Sequence, residues 1–288
     1  MCCDGRVTDD HDPGRLRAVA ELLAEEAAAF VRRRRAEVFG AGSSADAAAA
    51  TRTKSTPTDP VTIVDTETER LLRNRLAELR PGDPIVGEEE GGSAAGLPGR
   101  PTWVLDPIDG TVNFVYDIEA YAVSIGVQVD GRSVAGAVAN VATGEIFSAA
   151  RGAGSHVRRD GASTQLRCNP VDDVSMALVG TGFGYAPERR LVQAEVLARL
   201  IPDVRDVRRI GSCALDLCMV AAGRLDAYYE LGVNVWDWAA GALIAEEAGA
   251  RLHLPPIEEA AGEASLIVAA APGIAAEFDE VLRRAGAF

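Results

Sequence analysis

Between Arg15 and Phe39, apolar residues recur every three or four positions: Leu16, Val19, Ala20, Leu23, Ala27, Phe30 and Val31. That spacing predicts one long amphipathic helix. Arg32 to Arg35 fall towards its C-terminal end, where cations complement the helix dipole. A second helix is expected within Val61–Arg80, starting near Asp65 and halted by Pro81-Gly82. Between the two, Ala41–Thr53 is rich in Gly, Ser and Ala. Lys54-Ser-Thr-Pro-Thr-Asp59-Pro60 follows with two prolines, and both stretches read as loop.

Further on the pattern turns strand-like. Pro84–Val86 and Thr102–Leu105 read as strands, the second running into the turn Asp106-Pro-Ile-Asp109-Gly110-Thr111. Tyr121–Val129, Val134–Asn140 and Glu145–Ala150 form an antiparallel meander with turns at Asp130-Gly131 and Thr143-Gly144. Past residue 160, short strands alternate with helices. Strands are expected at Ala177–Thr181, Asp206–Arg209, Ala227–Glu230 and Leu266–Ala270. Helices are expected at Glu188–Leu200, Cys213–Ala222 with Ser212 as cap, Trp238–Ala248 and Ile274–Arg284. The fold class is therefore an α+β N-terminal half followed by an α/β C-terminal half.

Composition narrows the function classes. The 288 residues are 48% hydrophobic and 25% charged, which excludes wholesale disorder and a fibre. A formal charge of −14 repels phosphate backbones, so direct nucleic-acid binding is not expected. The five cysteines show no zinc-site spacing. With a polar N-terminus that does not read as a signal peptide, they suggest reduced thiols and a cytoplasmic protein. No apolar window is long enough to span a bilayer, so no membrane partner is expected. His11, His156 and His253 lie in segments without catalytic signals and read as surface residues.

Carboxylates concentrate beside turns or strand ends at three places: Gly87-Glu88-Glu89-Glu90, Asp106-Pro-Ile-Asp109-Gly110-Thr111 and Val235-Trp236-Asp237. Hard divalent cations take carboxylate and carbonyl oxygens. A kinked strand end can aim Asp106, the Ile108 carbonyl and Asp109 at one point, with the Gly110 and Thr111 amides free for a phosphate oxygen. Each piece also has an ordinary reading. Asp-Gly is a common turn, Glu-rich loops are solvated, and Asp237 caps a helix.

The sequence from Trp103 to Phe114, Trp-Val-Leu-Asp-Pro-Ile-Asp-Gly-Thr-Val-Asn-Phe, resembles the first signature of the inositol monophosphatase family. Trp236-Asp237-Trp-Ala-Ala-Gly241, followed by Glu246-Glu-Ala-Gly249, resembles the second. Gly87-Glu88-Glu89 is similar to the family's Gly-Glu-Glu element, and the stretch from Lys54 to Asp65 to its mobile-loop segment. The resemblance covers about residues 15–285 and is closest in character to bacterial, actinobacterial-like members.

It implies a five-layer αβαβα sandwich of the inositol monophosphatase / fructose-1,6-bisphosphatase type. Residues 1–13 would be a disordered N-terminus, 14–160 an α+β metal-binding half, and 161–288 an α/β half that completes the active site. The implied activity is Mg2+-dependent, Li+-sensitive hydrolysis of a phosphate monoester of a polyol or sugar by direct attack of metal-activated water. Inositol 1-phosphate is the leading substrate. Histidinol phosphate, fructose 1,6-bisphosphate and 3′-phosphoadenosine nucleotides are alternatives, as is a binding role with the transcription machinery. Two or three Mg2+ ions are implied, and a homodimer.

Carried over by residue, Glu88, Asp106 and the Ile108 carbonyl would hold one ion, and Asp106, Asp109 and Asp237 the next. Glu88 would share a third. Thr111 and Asp65, with Glu88 nearby, would orient the attacking water. Asp109, Gly110, Thr111, Gly211, Ser212, Cys213, Glu230 and Asp237 would contact substrate, while Lys54 and Asp59 would belong to the closing loop. Three residues depart from the family pattern: Glu90, Cys213 and Trp238. Cys213 stands where Ala is usual, and Trp238 is bulky.

Overall fold

The long N-terminal helix is present as α1 (Pro13–Phe39) in a computed structural model that describes residues 11–40, 51–54, 60–92, 97–255 and 265–288. Most of the N-terminal segment and Asp59 lie outside the described residues. Asp12 caps α1 by accepting from the Arg15 amide at 2.9 Å, and Pro13 opens the first turn. The helix continues past Arg32–Arg35, so these arginines are not its last turn. They tie the helix to its neighbours instead. Arg32 donates to the Val141 carbonyl at 2.7 Å, Arg34 pairs with Glu67 at 2.7 Å, and Arg35 donates to the Phe114 carbonyl at 3.0 Å.

Part of the expected loop region is ordered as strands. β1 (Thr51–Thr53) and β2 (Pro60–Thr62) form an antiparallel ladder. The second helix, α2 (Ile63–Leu79), begins before Asp65, because Thr62 is its cap. Asp65 sits three residues in and closes a capping box with Thr62.

A seven-stranded sheet follows: β3 (Ile85–Gly87), β4 (Thr102–Asp109), β5 (Ala122–Val129), β6 (Arg132–Asn140), β7 (Ile146–Ala150), β8 (Ser155–Arg159) and β9 (Ala162–Gln165), paired in that order. β3 runs parallel to β4, and the remaining pairs are antiparallel. β4 does not stop at Leu105. It runs through Pro107 to Asp109, with its register against β5 shifting between Asp106 and Asp109. A bulge removes the need for an amide at Pro107, which is why proline is tolerated there. A short helix, α3 (Thr111–Tyr116), follows.

The second sheet is mixed, in the order β11 (Asp206–Arg208), β10 (Leu178–Thr181), β12 (Ala227–Leu231), β14 (Leu266–Ala270), β13 (Arg251–His253). Its helices are α4 (Pro187–Leu200), α5 (Cys213–Ala221), α6 (Val235–Glu247) and α7 (Ala275–Ala285). α6 starts three residues earlier than the sequence pattern predicts, because Asn234 is its cap.

Both faces of both sheets are covered, and this sets the layer count at five. On β4 and β5, Trp103, Leu105, Val123, Ile125 and Val127 pack towards α1 and α2. Val104, Ala122 and Val138 face α5 and α6, which also pack on Tyr228, Ile267 and Ala269 of the second sheet. The opposite face of that sheet, with Val179, Tyr229 and Val268, meets α4 and α7. The resulting order is helices, sheet, helices, sheet, helices: the αβαβα sandwich.

The seat of α6 on the first sheet is close. A Cβ on Gly126 would lie 2.7 Å from the Ala239 Cβ, and one on Gly136 only 2.9 Å from the Ala240 Cα. The two glycines face each other across β5 and β6. Gly126→Val therefore forces helix and sheet apart, and overpacking of this kind costs about 1–3 kcal/mol. A melt of the variant should shift down by several degrees; an unchanged melt would show that the seat is loose.

Candidate active site

The central helices and the end of β4 converge on one cavity of about 490 Å3. Asp106, Asp109 and Asp237 each direct a carboxylate oxygen into it, and these oxygens lie within 4.8 Å of one another. Local structure fixes each of them. The Asp106 Oδ1 accepts from the Ile108 amide at 3.0 Å across the bulge. The Asp109 Oδ2 accepts from the Ser212 hydroxyl at 2.5 Å and the Ala214 amide at 2.7 Å, at the start of α5. The Asp237 Oδ2 accepts from the Asn234 amide at 2.6 Å in the first turn of α6. Asp237 is thus the third residue of its helix and a capping-box partner, not the cap itself.

Three carboxylates this close repel one another, and Asp106 and Asp109 are buried while Asp237 is half-buried. Burial first, then Glu88, Asp109 and Asp237, push the Asp106 carboxyl well above the ordinary range. Burial, with Asp109 and Glu88, does the same to Asp237. Asp109 is pushed up to about 7, chiefly by burial, against the hydrogen bonds from Ser212 and Ala214. Among the described residues, no lysine or arginine is ion-paired with any of the three. An all-oxygen, all-anionic donor set of this kind fits a hard divalent cation.

Glu88 lines the same cavity. Its Oε1 is 2.8 Å from the Lys54 Nζ, which also lies 2.5 Å from Glu89. The turn carrying both is held by Glu69, a buried residue that the sequence pattern did not single out. Glu69 accepts from the Glu89 and Glu90 amides at 2.8 and 3.0 Å and pairs with Arg73. A Cβ on Gly87 would overlap its carboxylate.

The Thr111 hydroxyl lies 3.0 Å from the Ile108 carbonyl and 3.2 Å from the Asp65 Oδ1. Asp65 is fully buried behind it, and its Oδ2 accepts from the Thr62 amide at 2.9 Å and from the Thr62 hydroxyl. Burial pushes Asp65 up to about 7, with Glu88 and Glu89 adding to the rise. Gly110 caps α3 with φ of 90°, and a Cβ there would press on the Ala120 and Gly211 carbonyls at 2.9 and 3.0 Å.

The rest of the lining comes from the second half of the chain. Gly211, Cys213 and Glu230 reach the cavity, as expected. Ser212 does not line it. Its buried hydroxyl caps α5, accepting from the Leu215 amide at 3.2 Å while donating to Asp109. Cys213 is buried and unbridged, and burial holds its thiol well above the usual range, as befits a packed residue. Trp238 is likewise buried, turned away from this cavity. His156 is half-buried on β8 rather than on the surface. Phe183, Tyr185, Arg189, Arg209 and Trp236 also line the cavity, and no local motif flagged the first four as site residues. Among the described residues, no helix is long and apolar enough to cross a membrane.

The model of the inositol monophosphatase family matches residues 12–284. The inositol-1-monophosphatase SuhB of Mycobacterium tuberculosis is 65% identical over 278 residues, covering 96% of each chain. The Nus factor SuhB of Vibrio cholerae is 39% identical over 193 residues, 67% of this chain and 70% of that one. Among solved structures, Mycobacterium tuberculosis SuhB is similar with a TM-score of 0.82 and 59% identity, over 96% of this chain and 99% of that one.

Proposed function

Since this chain belongs to the inositol monophosphatase family, and with it to the phosphoric monoester hydrolases, we propose that it hydrolyses inositol 1-phosphate to inositol and phosphate. The observation that carries the reading is the convergence of Asp106, Asp109 and Asp237 on one point beside the Thr111–Asp65 pair. The name of the 65% identical relative supports the choice of substrate.

Glu88, Asp106, the Ile108 carbonyl, Asp109 and Asp237 would hold divalent ions, taken as two or three Mg2+. When bound, such ions supply positive charge against the phosphoryl group and make water more acidic. The chain itself does the positioning. The Gly110 and Thr111 amides are offered to a phosphate oxygen. Thr111 gives its proton to Asp65 or to the Ile108 carbonyl, and a lone pair on its oxygen is left to accept from the attacking water. Asp65, balanced near neutrality, takes up a proton through that hydroxyl. Glu230, on the far wall, accepts from hydroxyls of the leaving alcohol. Gly211 and Cys213 shape the wall next to it. Lys54 is the counter-ion of Glu88 and Glu89. Inhibition by Li+ and a homodimeric assembly are part of the same proposal, on the strength of the family resemblance.

The test is phosphate release from inositol 1-phosphate, histidinol phosphate, fructose 1,6-bisphosphate and 3′-phosphoadenosine 5′-phosphate at equal enzyme. We expect the highest kcat/KM on inositol 1-phosphate and no turnover in excess chelator. Full turnover in chelator would remove the ion-dependent reading, and a better alternative ester would replace the substrate.

A further inference from the structure

Glu230 lines the cavity from β12, and its carboxylate is held by one neighbour and packed closely against another. On β12, Tyr228 and Glu230 point to the same face, two residues apart. Tyr228 is fully buried, and its hydroxyl donates to the Glu230 Oε2. From the neighbouring strand end, Gly182 presses close enough that a Cβ there would overlap the same carboxylate. Oε2 is thereby engaged, while Oε1 takes no hydrogen bond from the described residues and the side chain lines the cavity.

We propose that Tyr228 is a positioning residue of this enzyme: with the bare Gly182 opposite, it fixes Glu230 so that Oε1 is presented to hydroxyls of the leaving group. This rests on the phosphatase reading above and deepens it, because it makes the preference for a polyhydroxylated alcohol depend on a buried residue that touches no substrate. The physical basis is the freedom of a glutamate side chain. Its rotamers cost free energy to order, and a site that has already ordered them binds its hydroxyl partner more tightly. Tyr228 donates to the carboxylate, and the missing Cβ at Gly182 leaves free the space that the carboxylate occupies, so the ordering is in place before substrate arrives. A leaving group without hydroxyls draws nothing from this arrangement.

The test compares inositol 1-phosphate with p-nitrophenyl phosphate, whose leaving group has no hydroxyl to donate to Glu230. In Tyr228→Phe, the ratio of kcat/KM for the polyol ester over the aryl ester should fall about 10-fold, a typical loss for one contact to a charged group. The fall should sit in KM, with kcat for inositol 1-phosphate held within about threefold. Gly182→Ala, which displaces the carboxylate from the other side, should lower the same ratio. In a Glu230→Gln background, Tyr228→Phe should add little, because the two changes remove one shared interaction. Equal losses on both esters, accompanied by a lower Tm, would mean that Tyr228 only supports the fold and would overturn the proposal. An unchanged ratio in both single variants would overturn it as well. A wild-type protein that hydrolyses neither ester would instead refute the inositol 1-phosphate reading, an outcome visible before any variant is made.

Discussion

Asp237→Asn is expected to lower phosphate release by on the order of 10²-fold or more while leaving the fold intact. Asparagine keeps the shape and the oxygen that accepts from the Asn234 amide at 2.6 Å, so the first turn of α6 survives. It removes one of three negative charges whose oxygens lie within 4.8 Å. Losing one such contact where charge must be stabilised in a water-poor site carries a cost of that order. The metal-free variant should melt no lower than wild type, because it loses repulsion rather than attraction. Its stabilisation by added Mg2+ should shrink, since ligand binding to the native state is what raises Tm. Wild-type turnover at low Mg2+ would show that Asp237 serves only the helix start.

The second large effect is a pH dependence that metal removes. Asp65 and Asp109 are pushed up to about 7, and Asp106 and Asp237 well above the ordinary carboxylate range. Unfolded, all four titrate near ~3.9. The folded, metal-free protein therefore holds protons that the unfolded chain has released. Stability from these groups is full below the unfolded value and is lost as pH rises through the folded ones. Between pH 5 and pH 8, each such proton removes up to about 1.4 kcal/mol per pH unit. With Mg2+ present the deprotonated cluster is the binding form, so the stabilisation by metal should grow over the same interval. Melts in chelator and in Mg2+ at pH 5.5, 6.5, 7.5 and 8.0 test both arms. A flat profile in chelator would show that the cluster is not protonated at low pH.

The sequence disclosed much of this site because its chemistry is concentrated in two contiguous runs, around Asp106–Thr111 and at Trp236-Asp237. It also disclosed the helices whose apolar faces are one-sided, such as α1. It failed where the cause lies elsewhere in the chain. Pro107 reads locally as a turn, yet β4 continues through it because the bulge against β5 accommodates the missing amide. The sequence pattern starts α6 at Trp238, three residues late, because local spacing does not reveal Asn234 as its cap. β8 and β9, largely polar at the sheet edge, offer no apolar alternation. Glu69 looks like any exposed helical glutamate; only the chain folding back at Gly87–Glu90 buries it. Tyr228 and Gly182 are similarly silent, because their importance is a relation to Glu230 that no local pattern encodes.

The close seat of α6 has a consequence for which cation the site accepts. Asp106 rides on β4 and Asp237 on the first turn of α6, so their separation is set by how near that helix lies to the sheet. Gly126 and Gly136 meeting Ala239 and Ala240 leave the helix no room to move inward, and a close-packed interior resists small displacements in any direction. Magnesium holds its oxygens at about 2.0–2.1 Å, calcium at about 2.3–2.6 Å. On the divalent-ion reading proposed above, discrimination between ions of different radius would then be a stiffness of the scaffold, carried by residues that touch no ion. Enlarging either glycine by a single methyl group would retune the ion preference from beneath, through the tilt of one helix.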